Sequence, residues 1–474
     1  MTEIIQKRLS ESKSARWFVL ALVSLTMLCS YFLADAMAPL KSMLEQQLQW
    51  SSTDYGIFTS GYGWFNVFLL MLVFAGIILD KMGTRFTGVL GIVIMLLGAF
   101  LKYWAINSTT LGDIVNIHIG SWELFETKRQ VLYAGLGFAI FGVGIEMFGI
   151  TANKAIVRWF KGKEMALAIG LNTSTGRIGT GLAMVAPIPL AKWMGTEAVP
   201  MVSAPILMSM LMIVAGLMAF LLFNVMDAKL DKEEAQNNTA EVKEDFRFSD
   251  ILRIAKISGF WYITILCVLF YSAVFPFIKY ATELIMQKYG VGEDFAGIIP
   301  AMLPIGALFL TPVFGSIYDH KGKGASIMMI GSVLLVVVHL LFAIPTLNSL
   351  PVAVGLIVIL GIAFSLVPSA LWPSVTKVVP HSLLGTAYAM IFWVQNWGLM
   401  GVPLLIGYTL DKYCKIGEHK VVEQGVTYTV TDYNYTIPML IFAGFGMLAI
   451  FFSYMLKRED RIKGYGLEKP NIVK

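Results

Sequence analysis

Gly76-Ile-Ile-Leu-Asp80-Lys-Met-Gly83-Thr-Arg85 and Gly315-Ser-Ile-Tyr-Asp319-His-Lys-Gly322-Lys-Gly324 are two copies of one pattern. Each has a glycine, an aspartate four residues on, a second glycine three further, and then a cation. Gly76 and Gly315 have no side chain to keep neighbouring helices apart. Gly83 and Gly322 permit a tight turn. Asp80 suits the amino-terminal end of a helix, where the dipole favours an anion, and Arg85 is expected to pair with it. That pair would hold one face of the molecule shut and break when it opens. Asp319 and Gly322 take the equivalent places in the second copy. One copy alone reads as a polar turn; two copies about half the chain apart read as an internal repeat.

Each copy closes an apolar block, and such blocks fill the chain. The 474 residues are 57% hydrophobic and 14% charged, with mean hydropathy +0.71. An ordinary soluble domain carries about a quarter charged residues. Blocks of about twenty apolar residues cross a bilayer core. Candidate spans run 16–38, 55–79, 86–105, 130–153, 164–190 and 201–224, then 259–284, 295–316, 325–346, 351–376, 384–410 and 436–456. The polar stretch Asp227 to Phe246 lies between the sets and is too poor in apolar residues to fold alone. The expected fold is an all-α membrane protein of twelve transmembrane helices in two pseudo-symmetric six-helix halves. Residues 1–225 form the first half, 226–257 a linker and 258–474 the second half.

A net charge of +5 does not point to nucleic acid, because Lys and Arg sit in short segments between apolar blocks. Lys7, Arg8, Lys13, Arg16, Lys81, Arg85, Arg158, Lys161, Lys163, Lys321, Lys323, Lys457, Arg458, Arg461 and Lys463 fall on one face; Lys41, Lys192 and Lys288 fall on the other. Both termini are therefore expected in the cytoplasm. Met1 to Arg16 is polar and basic, and the apolar run from Trp17 is too long for a cleaved signal. Cys29, Cys267 and Cys414 show no metal-ligand spacing and cannot form a closed disulfide set. Nor is there a nucleophile elbow, an HExxH or a phosphate loop, so neither an enzyme nor a bound cofactor is expected. Of the two long loops, Asn107–Arg129 is mixed in character. Lys415–Tyr435 alternates through Gly425-Val-Thr-Tyr-Thr-Val-Thr and reads equally as a hairpin or an irregular loop.

The doubled pattern resembles the loop signature of the major facilitator superfamily. Other stretches resemble a narrower group within it, the lysosomal dipeptide uniporters and their bacterial relatives. These are Tyr31-Phe-Leu-Ala-Asp35, Tyr62-Gly-Trp64-Phe-Asn66, Gly142-Val-Gly144-Ile-Glu146, Trp159-Phe-Lys-Gly-Lys-Glu164, Gly176-Arg177-Ile-Gly179 and Tyr271-Ser-Ala-Val-Phe-Pro276. They continue with Ala370-Leu-Trp372-Pro373, Val379-Pro380, Leu384-Gly385-Thr-Ala-Tyr388 and Gln395-Asn396. The resemblance implies a small-molecule carrier in a lipid bilayer, working as a monomer, with an accessory subunit possible. It departs at Phe138, where many superfamily members carry Arg, at Ala36 in place of Asn, and at Thr282, where the group tends to have a Lys that here stands at Lys279. No acidic dileucine signal supports lysosomal delivery, so the expected location is the plasma membrane, of bacterial inner-membrane type.

The residues themselves point to a site. An ionisable group at mid-bilayer costs roughly 2.5–3.5 kcal/mol on insertion scales and faces a cavity or a partner. Asp35, Glu146, Arg177, Lys279 and Glu283 are such groups. Arg177 lies among small residues, and its planar fork matches a carboxylate. Glu146 on the preceding span suits an α-ammonium. The two together suit a zwitterion, or else pair with each other. Asp35 reads as a proton site, an amine contact or a cap on span one. Lys279 and Glu283 are spaced to pair along one helix or to serve substrate. Tyr62, Trp64, Asn66, Tyr271, Trp372, Gln395 and Asn396 are candidate cavity liners. The expected activity is alternating-access transport of small zwitterionic peptides such as dipeptides, by uniport or coupled to protons. The alternative is an organic-anion exchanger using Arg177 and Lys279 on carboxylates alone.

Overall fold

The computed structural model describes residues 9–119, 122–161, 163–236, 248–423 and 426–472. Lys7, Arg8 and the second half of the polar stretch, 237–246, lie outside these residues.

Backbone polar groups in hydrocarbon must bond within the chain, so the spans are helices. Span one is Lys13–Asp35, capped by Ser12. Span two is Ser52–Phe68 continued by the start of Met71–Asn107. That long element turns at Gly83 (φ 79°) and its remainder is span three. Spans four to six are Arg129–Trp159, Met165–Val185 with Pro187–Met194, and Ala204–Gln236. Spans seven to twelve are Ser258–Tyr289, Ile298–Lys321, Gly324–Ala343, Leu350–Val378, Leu384–Tyr413 and Thr436–Lys463. Among the described residues ten helical segments are long and apolar enough to cross a membrane. Of the other two, Ser52–Phe68 is only 17 residues long because span two breaks after Phe68, and Met165–Val185 is made less apolar by Asn172, Arg177 and the small polar residues around them. Twelve spans result.

Glycine sets the closest packing within the first half. A Cβ at Gly98 would stand 2.4 Å from Phe141 N, one at Gly137 2.6 Å from Lys102 N, and one at Gly144 2.6 Å from Gly91 O. Spans three and four therefore touch backbone to backbone and move as one piece.

Several expectations change. Span two is not one rod over 55–79. It breaks after Phe68, where Leu70 takes a left-handed conformation (φ 51°). Both long loops are hairpins: Ile114–Ile119 pairs with Trp122–Lys128, and Lys415–Glu423 with Val426–Tyr433, both antiparallel. Span six continues through Asp227 to Gln236, and Phe248–Ala255 is a short helix. Lys41 is not a loop residue but is 1% exposed and held by Glu45 and Glu283.

The faces of the molecule are called here the hairpin side and the terminal side. The first loop copy lies on the terminal side, and Arg85 does not pair with Asp80. Gly83 turns the chain between them, and Arg85 reaches Asp231 and, at 3.8 Å, Asp227. Asp80 holds Lys154 of span four at 2.6 Å. Asp227 is 1% exposed and accepts bonds from Arg158 at 3.1 Å and Trp159 at 2.9 Å. Removing this buried acceptor takes one partner from Arg158, which keeps Asp231, and leaves the buried Trp159 indole N–H without its acceptor, so Asp227→Ala is expected to cost about 2 kcal/mol. Thermal unfolding in detergent would show a midpoint several degrees lower, and an unchanged midpoint would mean that Asp231 carries both arginines alone.

The second copy is braced otherwise. Asn471 Nδ2 donates to Asp319 at 2.7 Å, and the Asn471 and Ile472 amides donate to its carbonyl. Gly322 (φ 67°) lies against the backbone of Glu468 to Pro470, which is the close approach that needs a glycine. Gly76 and Gly315, expected at helix contacts, have no neighbour within 4 Å of a Cβ position. The reason is the conformation, described next.

Candidate functional site

The halves meet on the hairpin side. Spans two and eleven touch there: a Cβ at Gly407 would stand 2.2 Å from Ser52 O, and one at Gly56 2.8 Å from Pro403 O. Asp411 of span eleven accepts from the amides of Ser52 at 3.3 Å and Thr53 at 2.5 Å, capping span two across the interface. Spans five and eight touch likewise: a Cβ at Gly297 would stand 2.0 Å from Met184 O. Lys192 beside them reaches Asp294 at 2.7 Å and Glu293 at 3.5 Å.

Two ion pairs seal the third contact. Span one ends at Asp35, where a helix terminus disfavours an anion. The carboxylate is held by Lys279 Nζ at 2.5 Å and by Thr180 Oγ1 at 2.8 Å. Lys279 also donates to the Ala34 carbonyl at 2.8 Å, one of the groups a helix end leaves unbonded. Tyr55 donates to the Lys279 carbonyl at 3.0 Å. Glu283 pairs with Lys41 at 2.7 Å and accepts from Tyr435. Lys279 and Glu283 therefore do not pair with each other. Each finds a partner from the first half, which a side chain with no water nearby needs more than an exposed helix pair does.

Toward the terminal side the contacts end. Trp393 donates to Val67 O at 3.0 Å and Phe68 meets Trp397 at 5.8 Å; beyond them Gly76, Gly170, Gly306 and Gly315 face open space. The halves thus part toward the termini, and the remaining site residues lie where their contacts end. Tyr62 donates to Glu146 Oε1 at 2.8 Å. Arg177 is half-buried and has no carboxylate partner among the described residues; its guanidinium lies 4.5 Å over Phe364 and 5.5 Å over Phe275 of the second half. Arg177 and Glu146, one alternative for which was a mutual pair, are not paired. Tyr31 packs on Gly176 and Gly179 and lies near both.

The second half supplies an aromatic wall. Tyr271 stacks on Phe275 at 5.3 Å and accepts from Trp372 Nε1 at 3.3 Å; Trp372 meets Phe392 at 5.1 Å and Tyr388 at 5.9 Å. Gln395 and Asn396 are buried on span eleven, each with an amide oxygen that has no partner among the described residues. Trp64 turns away from this group: it donates to Ser60 and packs on Gly135 of span four. Asn66 is 1% exposed, and neither of its amide atoms is bonded among the described residues.

Sequence reasoning missed Tyr31, Lys41 and Lys102. Tyr31 stood inside a quoted stretch and lacked only a charge to mark it. Lys41 was read as a loop cation. Lys102 lies inside 86–105, so the rule that marked Asp35 would have found it.

Twelve spans in paired halves around an ionised cleft define a carrier, and the chain belongs to the Major Facilitator Superfamily, which it matches over residues 23–403. It is a multi-pass membrane transporter for a small-molecule substrate, not an enzyme. It is 28% identical over 403 residues to the human "Lysosomal dipeptide transporter MFSD1", covering 84% of this chain and 80% of that protein. It is 28% identical over 183 residues to the hexuronate transporter of Escherichia coli (strain K12), covering 38% and 35%. Its fold matches the inward-facing, unoccupied crystal structure of a bacterial homologue of the human lysosomal transporter Spinster (TM-score 0.66, 14% identity, 94% of this chain and 98% of that one).

Proposed function

We propose that the chain carries dipeptides, or closely similar small zwitterionic peptides, by alternating access. The observation that carries this reading is Arg177: a half-buried guanidinium over two aromatic faces, without a carboxylate among the described residues. A cation so placed is a vacant seat for a carboxylate. Glu146, bonded to the Tyr62 hydroxyl, offers the opposite charge to an α-ammonium. The wall of Tyr271, Trp372 and Phe364 accepts varied side chains by its faces rather than by fixed hydrogen bonds. The likeness to a transporter named for dipeptides supports the same reading. Asp35 and Lys279 then belong to the seal on the hairpin side. Gln395, Asn396 and Asn66 line the seam between spans two and eleven, and Trp64 sets the packing behind Tyr62. The loop residues Gly76, Asp80, Gly83, Arg85, Asp319 and Gly322 act in the opening and closing of the terminal side. The division at residues 225 and 258, the cytoplasmic placing of both termini, a plasma-membrane location and a monomeric carrier belong to the same proposal. Uniport and proton coupling are both compatible with it.

Thermal shift in detergent against dipeptides, single amino acids and dicarboxylates tests it. A ligand at 100 times its dissociation constant adds about 2.7 kcal/mol. Dipeptides are expected to raise the midpoint, and blocking either terminus to abolish the rise. Glu146→Gln is expected to weaken zwitterions more than simple carboxylates; equal loss for both would make Glu146 a structural residue. A second reading, an organic-anion exchanger, is favoured by the partial likeness to a hexuronate carrier. A shift with dicarboxylates alone would establish that reading instead.

A further inference from the structure

Lys102 is 1% exposed, and its amine has no hydrogen-bond partner among the described residues. It lies in a cage of three rings: Phe138 at 4.8 Å, Phe141 at 5.8 Å and Phe58 at 5.9 Å. A buried amine with nothing to bond is costly to keep, and the transport reading above gives it no task.

Its surroundings supply one. Lys279 lies 5.8 Å over the same Phe138 ring, so both lysines lie against one phenyl group. Lys279 is the residue that holds Asp35. Ala34, Phe58, Thr59, Lys102, Phe138 and Lys279 line one small void beside this group. The other groups that face it are Asp35 from span one and the Tyr55 hydroxyl, which is engaged with the Lys279 carbonyl.

The two lysines differ in what they are attached to. Lys102 is fixed to span four by the backbone contact at Gly137. Asp35 is fixed to span five by Thr180. Both belong to the first half. Lys279 belongs to span seven and leaves with the second half when the hairpin side separates. That movement strips Asp35 of its cation and leaves Lys102, an amine of the same half, against the void that Lys279 also lines.

We propose that Lys102 is a reserve cation for Asp35: it takes the carboxylate when Lys279 withdraws, and returns to the Phe58–Phe138–Phe141 cage when Lys279 comes back. The flexible four-carbon stem of lysine permits the swing once Lys279 has left its place beside Phe138. The exchange keeps Asp35 paired in both conformations and so removes a barrier to opening. The proposal rests on the alternating-access reading but not on the identity of the substrate.

The test needs no substrate. Spin labels at Thr109→Cys and Asn348→Cys mark the hairpin side of each half, in a background with Cys29, Cys267 and Cys414 replaced by Ser. Electron–electron distance distributions then report the ratio of closed to separated hairpin side in full-length protein. Lys102→Met is expected to favour the closed form about tenfold, because separation now strands Asp35. Lys102→Arg, which keeps a cation, is expected to restore the wild-type ratio. In an Asp35→Asn background the effect of Lys102→Met is expected to vanish. An unchanged ratio in Lys102→Met, or a shift that persists with Asp35→Asn, overturns the proposal. A thermal midpoint for each variant shows that it is folded, and Lys102→Gln serves if the Met variant is not. Failure of dipeptides to bind would leave these distances untouched, so the two readings fall separately.

Discussion

Arg177→Lys is expected to lower dipeptide affinity about 10- to 100-fold while the protein stays folded. The guanidinium offers two parallel donors to a carboxylate, and an ammonium offers a point charge. One lost bond to a charged group is worth about 1.5–3 kcal/mol, and each 1.4 kcal/mol is tenfold in affinity. Folding is spared because Arg177 holds no partner within the described protein; it rests on Phe364 and Phe275, which an ammonium also satisfies in part. Titration by thermal shift or calorimetry reads the change directly. Unchanged affinity in the Lys variant would remove Arg177 from the site, and the carboxylate would need another cation.

Gly407→Val is expected to cut flux at least tenfold by a wholly different route. A Cβ there would stand 2.2 Å from Ser52 O and 3.1 Å from Gly56 Cα. These are backbone atoms and cannot rotate aside, so spans two and eleven must separate on the hairpin side. Neither half loses core packing, because the clash lies between them. The labelled pair described above should show the closed form depleted, and the flux loss follows because a carrier needs both conformations. Gly76 gives the mirror experiment. It has no neighbour now, and if the terminal side closes on it as the loop pattern suggests, Gly76→Val should enrich the present conformation instead. Normal flux in Gly407→Val would mean that the hairpin side need not close so tightly during turnover.

Most of the architecture is legible before any coordinates, since apolar blocks of bilayer length leave a chain few options. The twelve spans and the repeat at Asp80 and Asp319 are there to read. What the residues conceal is partnership. Asp80 and Arg85 stand five apart, but the left-handed turn at Gly83 sends one to Lys154 and the other to Asp231. Lys279 and Glu283 have ideal helix spacing, yet each bonds across the interface to a segment hundreds of positions earlier. Local spacing rules describe an exposed helix, and here the absence of water makes the distant ion the stronger partner. Arg177 was legible for the converse reason: nothing nearby in sequence could neutralise it, and no carboxylate among the described residues pairs with it. Lys102 was overlooked because a lysine close to the end of a span reads as one that stretches to the surface; the close packing of span three on span four and the ring cage remove that escape.

The tail from Gly464 to Ile472 is tied down at several points. Asp460 accepts from the amides of Leu467 and Glu468, Glu468 accepts from Ser326, and Lys377 donates to the carbonyls of Gly466 and Lys469. These bonds fix the tail to the ends of spans nine, ten and twelve. A domain joined just after Ile472 therefore inherits the orientation of the second half instead of tumbling on a leash. For a 52.4 kDa protein that is mostly buried in lipid or detergent, that makes the tail a natural mount for a fiducial in electron microscopy, and one whose angle to the first half would report each step of the cycle.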